Sequence, residues 1–176
     1  MSAGLVANEK IVVPDKMLQG MGVNVVQDEV IQIDKQTKTV TTAGGKGFSY
    51  DKLYLATGSS SFIPPIEGNT LEGVLTLRGL PDADRIKAAL GSGAKNIVFI
   101  GAGFISMETA SLIAEHTDTQ FNITVVELMD RPLPLMLDKE MAAPVKTYLE
   151  EKGLTLLTGK TVERIVGEKG KVSGVQ

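Results

Sequence analysis

Gly101, Gly103 and Glu127 are the residues of this chain whose types and spacing could do chemistry together. Gly101 opens the stretch Gly101-Ala102-Gly103-Phe104-Ile105-Ser106, where the lack of a Cβ allows a tight turn out of an extended run. Gly103 lets the backbone come close to a bulky anion. From Phe104 and Ile105 onward the chain reads as a helix, whose free N–H groups and positive dipole end point at a phosphate. Glu127 closes the next apolar run. A carboxylate there accepts hydrogen bonds from a ribose diol and repels a 2′-phosphate, so the expected ligand is NAD rather than NADP. Ser106 stands where the fingerprint has its third glycine, and Glu127 comes somewhat later than the usual spacing of roughly 20. Taken alone, these glycines would also fit a plain chain reversal in another α/β protein.

The elements that must position these residues are legible on either side. Ile97-Val98-Phe99-Ile100 and Ile123-Thr124-Val125-Val126 are continuous apolar runs, which predict strands buried on both faces of a parallel sheet. Between them a helix is expected to run to about His116, with residues 116 to 122 lengthening the connection. Pro81, Asp82 and Asp84 open a preceding helix that Gly91 stops. Asp138 is an N-cap for a following helix with Met141, Val145, Tyr148 and Leu149 as its stripe, and Pro144 should kink that helix or delay its regular start. The loop between, Leu128 to Met136, is proline-punctuated and apolar, suited to an adenine pocket, a partner surface or simple packing on a neighbouring helix.

Before Ser59 the pattern differs. Pro14 to Gly20 predicts a short helix, and residues 1–10 a turn or loosely held start. Val23 to Val26 reads as a strand. Val30 to Asp34, Thr39 to Thr42 and the run from Phe48 alternate as in a small β-meander, with Gly44 to Gly47 as a turn. Leu53 to Ala56 predicts a buried strand ending at Thr57-Gly58. Three serines and two prolines then form a crossing linker, which places a domain boundary near here: 1–62 and 63–176. Leu154 to Leu157, Val162 to Val166 and Lys171 to Val175 predict a second meander.

Composition excludes several functions. The chain of 176 residues is 43% hydrophobic and 22% charged, enough for one sizeable core or two small ones. Its net charge is −3 and no basic stretch stands out, which argues against nucleic acid as a partner. No apolar run approaches the roughly 20 residues of a membrane span, and no signal pattern opens the chain, so the expected setting is cytoplasmic. There is no cysteine and one histidine, which leaves no thiol chemistry and no zinc site; His116 suits a solvated helix end.

Together these residues resemble a family. Tyr50-Asp51-Lys52-Leu53 through Ala56-Thr57-Gly58, Thr76-Leu77-Arg78, Gly101 through Glu108, Val125-Val126-Glu127 and Asp130-Arg131-Pro132-Leu133-Pro134 are similar to segments of FAD-dependent pyridine nucleotide–disulfide oxidoreductases. The nearest groups are NADH oxidases, coenzyme A disulfide reductases and rubredoxin or nitrite reductase flavoproteins. The resemblance runs from about residue 10 to the end. It implies an α/β fold: a Rossmann-like, three-layer NAD-binding domain of β-meander, parallel sheet and helices, with a β-rich remnant of an FAD domain. It implies FAD contact at Ala56, Thr57 and Gly58, and NAD(H) contact at Gly101, Ala102, Gly103, Phe104 and Ile105. It places Glu127 on the ribose. Glu108 is implied at the nicotinamide end, while a solvent-facing helical Glu remains the other reading.

This sequence departs from the family pattern where the flavin and the redox cysteines should be. No first G-x-G-x-x-G precedes Ala56, and no cysteine follows one. The expectation is therefore an internal piece of a larger flavoenzyme, the rest of which is its partner, with hydride transfer from NADH to flavin in the whole enzyme. The piece itself would bind NAD(H) weakly, keep no FAD, contribute no catalytic residue and no metal site, and self-associate as a homo-oligomer through uncovered edges. Two other readings are weighed: a stand-alone, non-catalytic nucleotide-binding module, and a methyltransferase, whose Gly-rich loop looks alike but which the helix start and the later strands fit poorly.

Overall fold

The computed structural model describes residues 12–116 and 120–176, with only the backbone given at His116. The expected loose start at residues 1–10 and part of the lengthened connection after His116 lie outside the described residues. Contacts divide the chain into two compact units with the boundary between Ser59 and Ser60.

In the first unit a short helix α1 (Asp15–Gly20) follows Pro14, whose fixed φ suits the position ahead of a first turn. Three strands, β1 (Val30–Asp34), β2 (Thr39–Thr42) and β3 (Gly47–Ser49), pair antiparallel in the order β1-β2-β3. The β1–β2 turn is set by Asp34, whose Oδ1 accepts from the N–H groups of Gln36 at 2.8 Å and Thr37 at 3.0 Å. That is the side-chain mimicry of a backbone turn for which Asp is suited.

Two expected strands are absent. Val23 to Val26 and Leu53 to Ala56 form no ladder, and the second run is open to solvent, with Tyr54 87% and Leu55 69% exposed. A strand is defined by a neighbouring backbone, and among the described residues neither run has one. Strand β1 is also more exposed than its alternation predicts.

The second unit carries the βαβ core. Helix α2 (Leu80–Gly91) carries Pro81 in its first turn, and Asp82 Oδ2 accepts from the N–H groups of Arg78 at 2.8 Å and Gly79 at 3.0 Å. Strand β4 (Asn96–Ile100), helix α3 (Phe104–His116), strand β5 (Asn122–Glu127), helix α4 (Lys139–Glu151) and strand β6 (Leu154–Thr158) follow. The three strands are parallel in the order β4-β5-β6, with Val98 beside Thr124 beside Thr155. Leu154 to Leu157 therefore belongs to the parallel sheet and not to a second meander. The α4 crossover is the reason, because it returns the chain to the same end of the sheet before each strand begins. Only β7 (Ile165–Glu168) and β8 (Lys171–Val175) pair antiparallel, as a hairpin.

One face of the parallel sheet is the core. Ile123, Val125, Leu154 and Leu156 are buried there with Met107, Ala110 and Ile113 of α3 and Leu149 of α4, and Ile97 and Phe99 pack beside them. The opposite face is only partly covered: Val98, Ile100 and Leu157 are 39%, 39% and 43% exposed. The expectation that β4 is buried on both faces is thus corrected. From Ile97 to Ile100 its sequence is apolar, but Ile97 and Phe99 pack against the core while Val98 and Ile100 stay exposed.

Pro144 lies inside α4 without ending it. Its missing N–H leaves the carbonyl of Glu140 without its usual intrahelical donor, and Glu140 sits in the exposed first turn, where water can serve instead. The segment before α2 is fixed to the hairpin by bridges from Glu67 to Arg164 and from Glu72 to Lys171.

Candidate functional site

The site forms where β4 and β5 end side by side. Gly101 leaves β4 with φ +94°, a conformation that L side chains rarely adopt, and its N–H donates to the carbonyl of Val126 at 2.8 Å. The last turn of the sheet ladder thereby continues one residue into the Gly-rich loop. Gly103 ends the loop, and its carbonyl accepts from Met107 N–H at 3.0 Å, the first hydrogen bonds of α3. A Cβ built at Gly101 or at Gly103 would meet no atom within 4 Å, so the space beside both is open to a ligand. Phe104 and Ile105, in the first turn of α3, are 58% and 56% exposed at the mouth of this space.

Glu127 is the charged residue closest to the loop in its bonding. It is 8% exposed, yet both carboxylate oxygens are satisfied: Oε2 accepts from Ala102 N–H at 2.6 Å and Oε1 from Met129 N–H at 2.8 Å. Ala102 itself is fully buried, and its carbonyl accepts from Leu133 N–H at 2.9 Å. The Gly-rich turn is therefore tied to the end of β5 through the N–H groups of Gly101 and Ala102, and to the loop after β5 through the Ala102 carbonyl, with Glu127 bridging to that loop at Met129. Gly101, Ala102, Gly103 and Glu127 are brought together as one wall.

The loop after β5 is a built structure. Pro132 is among the most deeply buried side chains, and Leu133 packs against the core with φ +50°. Arg131 donates from Nε to the carbonyl of Leu137 at 2.9 Å and pairs with Asp130 at 2.7 Å. Lys139 reaches Asp130 at 2.8 Å. The Lys139 ammonium, ahead of the Arg131 guanidinium, holds the Asp130 carboxyl below the usual carboxylate range. Of the apolar side chains here, Leu128, Leu135 and Met136 point to solvent, beside the end of β5 that carries Glu127.

Glu108 lies one turn into α3. With Leu77, Arg78, Ile105, Thr109 and Leu112 it lines a hollow of about 160 Å³ in the same unit. Its side chain is exposed, which fits a solvent-facing residue as well as one awaiting a ligand. Ala56, Thr57 and Gly58 belong to the other unit, where all three are exposed in irregular backbone. No group of three or more His, Cys, Asp or Glu residues among the described ones could hold a metal.

Sequence reasoning missed the bonds from Ala102, Met129 and Leu133. Backbone N–H groups carry no signal in a sequence. The available hint was the loop from Leu128 to Met136 with its Pro132-Leu133-Pro134 run, too apolar to be wholly solvated.

A family model described as pyridine nucleotide-disulphide oxidoreductase matches residues 7–176. An NADH oxidase of Methanocaldococcus jannaschii is 38% identical over 152 residues, covering 83% of this chain and 33% of that protein. Among solved structures, an NAD-dependent persulfide reductase from A. fulgidus matches with a TM-score of 0.82 at 36% identity, over 97% of this chain and 33% of that one. An FAD-dependent pyridine nucleotide-disulphide oxidoreductase from Desulfovibrio vulgaris matches with a TM-score of 0.67 at 33% identity, over 87% of this chain and 40% of that one. The chain spans between a third and two fifths of the length of these relatives.

Proposed function

The chain belongs to the pyridine nucleotide-disulphide oxidoreductase family, and from that premise we propose that it is the NAD(H)-binding portion of an FAD-dependent NADH:acceptor oxidoreductase. The observation that carries this reading is the hydrogen bond from Ala102 N–H to Glu127. It puts a carboxylate at the rim of an open Gly-rich cradle, as recognition of an adenosine diphosphate with an unphosphorylated ribose requires. The names of the relatives, an NADH oxidase and an NAD-dependent reductase, support the same nucleotide.

Each residue then has a physical task. Gly101 and Gly103 leave room for the diphosphate against the backbone, and the first turn of α3 offers it N–H donors and the positive end of a helix. Glu127 accepts from the ribose hydroxyls. Phe104 and Ile105 flank the entry, and Glu108 accepts from the amide of the nicotinamide end. Ala56, Thr57 and Gly58 are assigned to the flavin by family likeness, and their exposure leaves that backbone open to a ligand. A flavin held there would supply the two-electron redox chemistry of the whole enzyme. The protein's share is orientation and charge.

In this proposal the enzyme works in the cytoplasm, and the chain alone binds NAD(H), does not turn over and self-associates. No helix among the described residues is long and apolar enough to cross a membrane. Calorimetric titration of the chain with NADH and with NADPH tests the core of the reading. NADH should bind more tightly. NADPH binding as tight or tighter would remove the role given to Glu127, and flavin colour kept through purification would contradict an incomplete flavin site.

A further inference from the structure

Glu127 is placed by the proposed function on the ribose, but its carboxylate is already spent in part on the protein. Both oxygens are anchored, one to the buried Ala102 inside the Gly-rich turn and the other to Met129 in the following loop. The side chain sits at the end of the central strand β5, and the backbone carbonyl of the same residue accepts from Lys160 N–H at 3.0 Å. We infer that Glu127 is a latch as well as a specificity residue: its charge holds the diphosphate turn and the loop from Leu128 to Leu133 in the shape that binds, and its remaining lone pairs serve the sugar.

The chemistry of the donor set supports this. A carboxylate has about four acceptor sites, so two backbone N–H groups can orient it and still leave acceptors facing a diol. The bond from Ala102, at 2.6 Å, is short for an N–H donor, in the direction expected when the acceptor is an ionised carboxylate. Ala102 is fully buried, so its N–H has no water to turn to if the carboxylate is removed. A glutamine would keep one acceptor and aim an NH₂ donor at the other N–H. An aspartate would keep the charge but be one methylene too short to span both donors.

If Glu127 only repelled a 2′-phosphate, its removal would admit NADPH and leave the fold alone. As a latch, its removal loosens the turn that grips the diphosphate common to both nucleotides. The inference rests on the proposed function for its nucleotide part only, because the latch itself is a matter of turn geometry.

The experiment uses the whole chain and the variants E127A, E127Q and E127D, with the exposed Glu151→Ala as a control. Thermal unfolding and amide hydrogen exchange at residues 102 and 129 are measured alongside NADH and NADPH titrations. E127A should lower Tm by about 5 °C or more, and E127Q and E127D by less. Exchange at both amides should quicken more than about tenfold in E127Q, which keeps the bulk of the side chain. NADPH affinity should not rise in E127A. Unchanged Tm and unchanged exchange at both amides in all three variants would overturn the latch, as would a gain in NADPH affinity in E127A. If the unsubstituted chain binds neither nucleotide, the proposed function fails, and the unfolding and exchange results still decide the latch.

Discussion

Gly103 separates binding from folding. A side chain there would meet no protein atom, so its cost falls on the ligand. Gly103→Ser also supplies a favourable residue for the start of α3. It should leave Tm within a degree or two while weakening NADH binding about tenfold, ~1.4 kcal/mol by calorimetry. Gly101→Ala tests the opposite case. The open space is the same, but φ is +94°, so the substitution should cost roughly 1 kcal/mol or more in denaturant unfolding. If both variants lost affinity and neither lost stability, the positive φ at Gly101 would not be a constraint. Gly101, Gly103 and Glu127 were legible because each carries a chemical reason for its type. Met129 was not, because its part is played by a backbone N–H any residue has.

At the scale of elements, caps and turn clamps decide what stays in place. Asp138 Oδ1 accepts from Met141 N–H at 2.8 Å at the head of α4. Asp138→Ala should therefore lower stability by about 1 kcal/mol, read as a shift in denaturant midpoint at unchanged slope. Gly68 has φ +83°, and a Cβ there would run into the carbonyl of Ile165. Gly68→Ala should cost more than Asp138→Ala, roughly 1–3 kcal/mol, because backbone and not a flexible side chain must give way. The loop after β5 responds to pH through Asp130, whose folded pKa is depressed chiefly by Lys139. A depressed carboxylate stabilises above its unfolded pKa and loses that contribution as pH falls through the folded value. Asp130→Asn should therefore melt slightly below the unsubstituted chain above about pH 4 and converge with it in stronger acid. A gap that persisted unchanged to the lowest pH would assign the effect to packing. The pair is exposed, so the difference is small.

The parallel sheet presents Val98, Ile100 and Leu157 on the face its helices do not cover, and β4 lies at the sheet edge. Exposed apolar side chains on an edge strand favour association between copies. Val98→Lys puts a charge on that strand and should shift the chain toward monomer in light scattering at high concentration. Association unaffected by the charge would direct attention to another surface. The described chain is also two units, each with its own sheet, and the family likeness runs across both.

By itself the sequence determined the order of elements from α2 through β6, the Gly-rich turn and the acid that follows it, because those depend on local rules: apolar periodicity, glycine where a Cβ would obstruct, proline and aspartate at helix starts. It also carried the family likeness, through motifs short enough to be read in line. Only the tertiary structure decided what each strand-like run pairs with. Val23 to Val26 and Leu53 to Ala56 have strand composition but no neighbouring backbone among the described residues, and Leu154 to Thr158 joined the parallel sheet because a helix crossover brought it there. The same holds for Glu127. Its type announced a ribose ligand, but its second use, joining the amide of Ala102, 25 residues away, to that of nearby Met129, exists only once β4 and β5 lie side by side.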